Sequence, residues 1–177
     1  MTTPRDTTIP FRWRSGLGLS VGLFLAWGLI NAALAIYVPY TLHTGGVASL
    51  PLVLTTEADE ALLGRTYATI AADDQALAAY LVAFMDTMCG QMMGFAVAYT
   101  SVVWFGLRTG HIWALWVSAV AGLVAFVYFL PILDLYAQYS VPAGNFLGFI
   151  AVPVVAVAVA AALGWYGLRA AAVGVSH

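Results

Sequence analysis

The stretch IWALWVSAVAGLVAFVYFLPIL, which runs from Ile112 to Leu133, contains no charged side chain. A helix needs about 20 consecutive apolar residues to cross a hydrocarbon layer that is about 30 Å thick. A membrane-spanning β-strand is shorter, at about 9–11 residues, and alternates apolar with polar side chains. Because this stretch is longer and does not alternate, it predicts a transmembrane helix.

Three other stretches have the same character, namely Gly16–Val38, roughly Leu81–Leu107, and Phe146–Leu168. In lipid the backbone has no water to bond to, and each unpaired amide or carbonyl costs several kcal/mol, so spanning segments form helices. The sequence therefore predicts an all-α fold. We expect an integral membrane four-helix bundle in which residues 1–177 form a single transmembrane domain.

The composition argues against the soluble classes of protein. Of the 177 residues, 63% are hydrophobic and 8% are charged, and the mean hydropathy is +0.93. A soluble domain has about 45–50% apolar and about 25% charged residues. A soluble enzyme, a disordered tail and a nucleic-acid binder are therefore not expected, and the single cysteine excludes an internal disulfide framework. The cations are all arginine, and the chain is rich in alanine and glycine, which is typical of a GC-rich prokaryotic gene.

The arginines orient the predicted bundle. Five of the six flank one set of span ends, and only Arg65 falls in the long first loop, at about Thr41–Ala79. Since arginine is enriched in cytoplasmic segments, this pattern predicts a cell-membrane protein with both termini in the cytoplasm. The five flanking residues are Arg5, Arg12, Arg14, Arg108 and Arg169.

The first loop is acidic and contains one helical pattern. Its second half holds five of the eight acids, namely Glu57, Asp59, Glu60, Asp73 and Asp74. Between them the apolar residues Leu63, Tyr67, Ile70 and Leu77 recur at near-helical spacing, which predicts a short amphipathic helix leading into the second span. A solvated acidic loop is the alternative interpretation.

Polar side chains inside the spans are the candidates for a functional site. Asp86 and Asp134 are ionisable, and such a residue costs about 2.5–3.5 kcal/mol near the membrane centre, which makes it a functional candidate. Four uncharged polar residues lie in the same outer half of the membrane, namely Asn31, Gln91, Gln138 and Asn145. These six residues predict an outward-facing intramembrane pocket that binds a lipid-like or hydrophobic small molecule.

Some of these residues also have a purely structural interpretation. Asp134 is placed to be a helix-end residue that reaches water, and Asn145 follows a glycine as a helix N-cap does. Asn31 could join two helices through a hydrogen bond. Asp86 lies one to two turns inside its apolar stretch, so a structural explanation fits it less well.

The second span has two different faces when its residues are spaced at about 100° around a helix. One face is small and polar, and consists of Asp86, Thr87, Gly90, Gln91 and Gly94. Gly90 and Gly94 form a GxxxG pair, which allows a close approach of another helix. Gly18/Gly22 and Gly144/Gly148 repeat this spacing. We therefore expect the small polar face to point into the bundle.

The opposite face of the second span is rich in sulfur and consists of Met85, Met88, Cys89, Met92 and Met93. Soft thioether and thiolate ligands select Cu(I), so a copper relay is one hypothesis. Adaptable packing by methionine and cysteine is the favoured interpretation, because no other span offers a Met, Cys or His at a matching depth.

Recognisable catalytic sets are missing from the sequence. It has no P-loop, no HExxH motif and no Ser/His/Asp set at one depth, so neither an enzymatic activity nor a cofactor is predicted. Besides membrane lipid, other membrane subunits are possible partners. An accessory subunit of a larger respiratory or oxidase complex is therefore the alternative function.

Two family resemblances accompany these predictions. The junction Arg108-Thr-Gly-His-Ile-Trp-Ala-Leu-Trp resembles the short turn between the second and third spans of small bacterial DoxX-like proteins. That resemblance implies a four-helix membrane protein, with a link to redox processes in some members.

The layout is also similar to the EXPERA group, with Asp86, Pro131 and Pro153 at comparable places. This similarity implies that Asp86 faces an amine or sterol-like ligand. The chain departs from that group in having no His or Glu beside Asp86 in the membrane. The two prolines are expected to kink the third and fourth spans.

Overall fold

The computed structural model describes residues 11–44, 55–141 and 144–174, and every regular element in these ranges is a helix. The elements are α1 (Gly16–His43), α2 (Thr56–Leu63), α3 (Tyr67–Asp73), α4 (Gln75–Ser101) with a π-helix (Val102–Leu107), α5 (Ile112–Val127), α6 (Phe129–Gln138) and α7 (Gly144–Gly174).

Four helical segments are long and apolar enough to cross a membrane: Gly16–His43, Gln75–Leu107, Ile112–Gln138 and Ile150–Ala171. This confirms the prediction of an all-helical chain with four helices able to span a membrane, and it fits a multi-pass membrane protein. The first span continues five residues beyond its predicted end at Val38. A hydropathy pattern marks the apolar stretch, whereas a helix continues for as long as its backbone bonds are made.

The two ends of the bundle carry opposite charge. The arginine end contains Arg12, Arg14, Arg108 and Arg169, and the acidic end contains Glu57, Asp59, Glu60, Asp73, Asp74, Asp86 and Asp134. α1 and α5 start at the arginine end, whereas α4 and α7 start at the acidic end. Arg65 also lies at the acidic end, where one guanidinium nitrogen is 3.9 Å from an Asp73 carboxylate oxygen.

The helices pack in a ring at the arginine end. α1 lies between α4 and α7, and α5 contacts both α7 and the π-helix that continues α4. Small residues allow the close approach of α1 to α7. A Cβ added at Gly167 would lie 2.4 Å from the backbone nitrogen of Leu17, so only glycine fits at this crossing.

The main apolar core occupies the arginine-end half of the bundle. Its buried members come from all four spans and are Leu17, Val21, Phe24, Tyr99, Val103, Leu107, Ala114, Leu115, Ala119, Val157, Ala160 and Leu168. A second, smaller cluster at the acidic end joins Ala58 of α2 to Tyr136 of α6 and to Val141. The short helix α2 therefore packs over the acidic-end part of the third span.

The third span is interrupted at Tyr128, between α5 and α6. Pro131 has no amide hydrogen to donate to the carbonyl of Val127, and its ring would clash with that carbonyl in a straight helix. At the interruption, the Tyr128 amide donates to the carbonyl of Ala125, three residues earlier, at 3.2 Å. The other predicted position, Pro153, lies within the continuous helix α7.

The acidic loop contains two short helices where the sequence pattern predicted one. Gly64 ends α2 in the left-handed region, at φ 67°, and the Thr66 hydroxyl then caps α3 by accepting from the Thr69 amide. The Tyr67 hydroxyl donates to the Ala78 carbonyl at 3.1 Å. This hydrogen bond connects α3 to the first turn of α4.

Candidate functional site

Asp86 forms a polar contact between two spans near the acidic end. Asp86 lies on α4, and its Oδ2 is 2.9 Å from Nε2 of His43, the last residue of α1. The His43 side chain is 59% exposed and that of Asp86 is 37% exposed, so the pair lies at the surface of the described chain. The sequence does not predict this contact, which depends on how α1 crosses α4.

The second carboxylate oxygen of Asp86 has a different environment. Oδ1 is buried, and it has no hydrogen-bond partner among the described residues. A buried acceptor without a partner costs about 1–3 kcal/mol. A carboxylate with one paired and one unpaired oxygen can accept a hydrogen bond from a hydroxyl or an ammonium group.

Asn31 does not reach this pair. Its Nδ2 donates to the carbonyl of Trp27 in its own helix, at 2.8 Å. Asn31 lies 12 residues before His43 on α1, which corresponds to about 18 Å along the helix axis. The interhelical hydrogen bond considered for Asn31 is absent from the described contacts of its side chain.

Asp134 and Gln138 pair with each other on one turn of α6. The Gln138 amide donates from Nε2 to Oδ2 of Asp134 at 2.8 Å, and both side chains are exposed. The side chain of Asn145 lies outside the described part of the chain, so its predicted role as a ligand or an N-cap stays a prediction. Gln91 is exposed on the outer surface of α4.

The five predicted ligand-binding residues whose side chains are described make no described contact that brings them together in one chamber. Asp86 contacts His43, Asp134 contacts Gln138, and Asn31 bonds within its own helix. Similar depth in the membrane follows from position along each helix. Contact between helices also requires the side chains to point toward one another, and depth alone does not determine that direction.

The expected orientation of α4 is wrong for four of the five residues of its small polar face. Thr87, Gly90, Gln91 and Gly94 are exposed on the outside of the described bundle, and a Cβ added at either glycine would meet nothing within 4 Å. Asp86, the fifth residue, is half-buried and contacts His43 of α1. On the sulfur-rich face, Cys89 is only 4% exposed, whereas Met88 is exposed.

The other GxxxG pairs do not mark helix crossings either. A Cβ at Gly22 or Gly148 would meet nothing within 4 Å, and one at Gly18 would meet only the preceding turn of its own chain, at Arg12 and Trp13. The surroundings of Gly144 lie outside the described part of the chain. The spacing of glycines shows that a helix could be approached closely, whereas the crossing points depend on the packing of whole helices.

The sulfur-rich face belongs to a single helix. Cys89 is buried, Met85, Met92 and Met93 are half-buried, and Met88 is exposed. Among the described residues, no group of three or more His, Cys, Asp or Glu side chains is close enough to hold a metal ion. The copper alternative has no donor set from a second helix in this part of the chain.

A buried tyrosine–carboxylate contact was not predicted. The Tyr136 hydroxyl donates to Oδ1 of Asp59, and these residues are 1% and 5% exposed. The sequence pattern places Asp59 among several acidic loop residues and does not single out Tyr136. No local pattern distinguishes them from their neighbours, because 77 residues separate the two in the chain.

Comparisons with protein-family profiles, curated proteins and solved structures find no match to this chain. The resemblances to DoxX-like and EXPERA proteins therefore stay predictions. Functional inference has to come from the geometry of the chain itself.

Proposed function

We propose that this multi-pass membrane protein acts as a subunit of a larger membrane assembly and pairs with a helix of another subunit through the exposed face of α4. This face, called the α4 face below, consists of Thr87, Gly90, Gln91 and Gly94. The observation that carries the proposal is the exposure of Gln91 between two glycines on the outer surface of a span.

The energetic argument starts from the amide of Gln91. An amide facing hydrocarbon without a partner is costly, and a neighbouring transmembrane helix can supply that partner through a hydrogen bond. Gly90 and Gly94 leave open space in which the backbone of such a helix can approach closely. In the apolar stretch of this span only 11% of the residues are buried, which is the smallest share among the four spans.

Leucine substitution at Gly94 tests this proposal. Nothing in the described part of the chain lies within 4 Å of a Cβ at this position, so Gly94→Leu is expected to fold while blocking a helix that approaches the α4 face. Purification in mild detergent should yield larger assemblies for the parent chain and separated chains for the variant. Gly148→Leu is the matched control, because Gly148 is also exposed and open. A lone parent protein, or an unchanged assembly in Gly94→Leu, would contradict the proposal.

A second candidate function follows from the unpaired Asp86 oxygen. We propose that Asp86 and His43 bind the polar group of a lipid-like or hydrophobic small molecule that carries a hydroxyl or ammonium donor. The buried Oδ1 supports this candidate, since a donor from such a molecule would complete its hydrogen bonding.

The experiment uses the purified protein in nanodiscs with a hydrophobic amine as the probe. Asp86→Asn should weaken binding about tenfold, as expected for loss of a charge-assisted hydrogen bond. Asp134→Asn provides the control, because it removes an exposed carboxylate from the same end of the bundle. Equal binding by the parent and Asp86→Asn would contradict this role for Asp86.

We also infer that the arginine end faces the cytoplasm of the cell membrane. The uneven distribution of arginine supports this orientation. Single cysteines introduced at Thr109 and at Thr44 in a Cys89→Ala background should differ in labelling by an impermeant thiol reagent on intact cells. Labelling at Thr44 alone is expected, and labelling at Thr109 alone would reverse the orientation.

A further inference from the structure

The arginine end is a cationic surface without a described counter-charge. Arg12, Arg14, Arg108 and Arg169 lie there, and none of them forms an ion pair with a described residue. All seven described carboxylates lie at the acidic end. The contrast with Arg65, which lies near Asp73 at that other end, indicates that the four arginines are available to an anion from outside the chain.

Arg108 is the most firmly positioned of these cations. Its Cζ lies 4.2 Å from the ring centroid of Trp104 and 5.3 Å from that of Phe11. Stacking of this kind attracts the cation to the flat face of the ring, while the N–H donors of a guanidinium project in its own plane. The N–H donors of the half-buried Arg108 therefore have a restricted direction even without a ligand.

The segment before α1 brings two more arginines to the same place. Phe11 contacts Arg108, and Trp13 contacts Trp104, with ring centroids 6.5 Å apart. Arg12 and Arg14 alternate with these two aromatic residues, and both are exposed. The backbone positions of Arg12 and Arg14 are thus adjacent in the sequence to the residues that contact Arg108 and Trp104.

Helix ends of both polarities meet at the arginine end. α1 and α5 begin there, at Gly16 and Ile112, whereas the π-helix and α7 end there. Since helix N-termini and C-termini carry opposite partial charges, their contributions offset each other. The positive charge of this end therefore comes from the arginines, of which Arg108 caps the C-terminus of the π-helix.

The surrounding tryptophans place this region at headgroup depth. Tryptophan is enriched at the boundary between hydrocarbon and water, and five of the six tryptophans lie at this end, namely Trp13, Trp104, Trp113, Trp116 and Trp165. Exposed fractions of 54%, 52% and 50% for Trp13, Trp113 and Trp116 show that these rings face the surroundings. The anion that is present at this depth of a membrane is a lipid phosphate.

We propose that the arginine end binds the headgroup phosphate of an anionic phospholipid, with Arg108 as the principal ligand and Arg12 and Arg14 beside it. The proposal concerns a different end of the molecule from the α4 face and from Asp86. A bidentate guanidinium–phosphate contact has the geometry that a fixed donor fork favours. The adjoining aromatic rings offer an apolar surface to the start of the acyl chains.

Native mass spectrometry of the full chain, released from vesicles of phosphatidylglycerol and phosphatidylcholine in equal amounts, tests this site. The parent protein should retain phosphatidylglycerol preferentially, and Arg108→Gln should lower that retention about tenfold, as expected for loss of a charge-assisted contact. Arg65→Gln removes one positive charge at the opposite end and should retain lipid as the parent does. Equal retention of the two lipids by the parent, or an equal loss in both variants, would overturn the proposal.

Two further variants test whether lipid retention depends on the planar N–H donors of Arg108 and on their orientation, or on its charge alone. Arg108→Lys keeps the charge but loses the planar donors, and Trp104→Leu keeps the arginine but removes the ring over which it lies. Both should retain less phosphatidylglycerol than the parent while their thermal unfolding in detergent stays within a few degrees of it. Full retention by both variants would show that the site does not depend on the geometry of Arg108 and would overturn its assignment as principal ligand.

Discussion

The two halves of the bundle are held together in different ways. At the arginine end, apolar side chains from all four spans interlock around Val21, Phe24 and Leu115, and α1 approaches α7 at backbone distance. At the acidic end, the polar contacts His43–Asp86 and Tyr136–Asp59 join separate helices. Close packing tolerates little change in shape, whereas a water-accessible polar pair tolerates much more. We therefore expect substitutions in the two halves to have unequal effects.

The largest effect is expected where α1 and α7 cross. Gly167→Ala places a methyl group 2.4 Å from the backbone nitrogen of Leu17, and no side-chain rotation can relieve a clash with backbone. Overpacking of this kind costs about 3 kcal/mol. Thermal unfolding of the purified protein in detergent should show a marked loss of stability. Gly148→Ala, at an open position, should behave as the parent, and an unaffected Gly167→Ala would remove the distinction between the two halves.

An intermediate effect is expected at the contact between α2 and α6. Tyr136→Phe removes the hydroxyl that donates to the buried Asp59 carboxylate, and loss of a buried partner costs about 1–3 kcal/mol. Hydrogen exchange should increase in α2 while the exchange of α1 and α7 at the arginine end is unchanged. Tyr139→Phe is the control, since Tyr139 is exposed. Faster exchange throughout the bundle would show that the two halves unfold as one unit.

The smallest effect is expected at the exposed polar pair. His43→Ala removes the contact with Asp86, and an exposed pair of this kind contributes about 0–1 kcal/mol. Its unfolding midpoint in detergent should therefore stay close to that of the parent. A loss as large as that expected for Gly167→Ala would show that this pair, and not only apolar packing, holds α1 against α4.

Some features of the site were predictable from the sequence, and others were not. The depth of Asp86 and Asp134 follows from their positions within apolar stretches of known rise. The partner of Asp86 does not, because it depends on the relative rotation of α1 and α4. Polar and sulfur-rich residues do fall on different faces of α4, but four of the five small polar residues point outward and not into the bundle. In lipid no hydrophobic driving force turns the apolar face of a helix inward, so the fit of side chains decides the rotation of a span.

The sequence by itself determined that the chain forms four helices long and apolar enough to span a membrane, because an apolar run of this length pairs its backbone within lipid as a helix. It also determined the charge asymmetry, since the arginines follow the span ends in chain order. Only the tertiary structure decided which residues touch. It placed Arg108 over Trp104, joined Asp59 to Tyr136 and left Gln91 exposed. Each of these outcomes depends on the rotation and crossing of the helices, which arise from the fit of many side chains at once. No short stretch of sequence therefore predicts them.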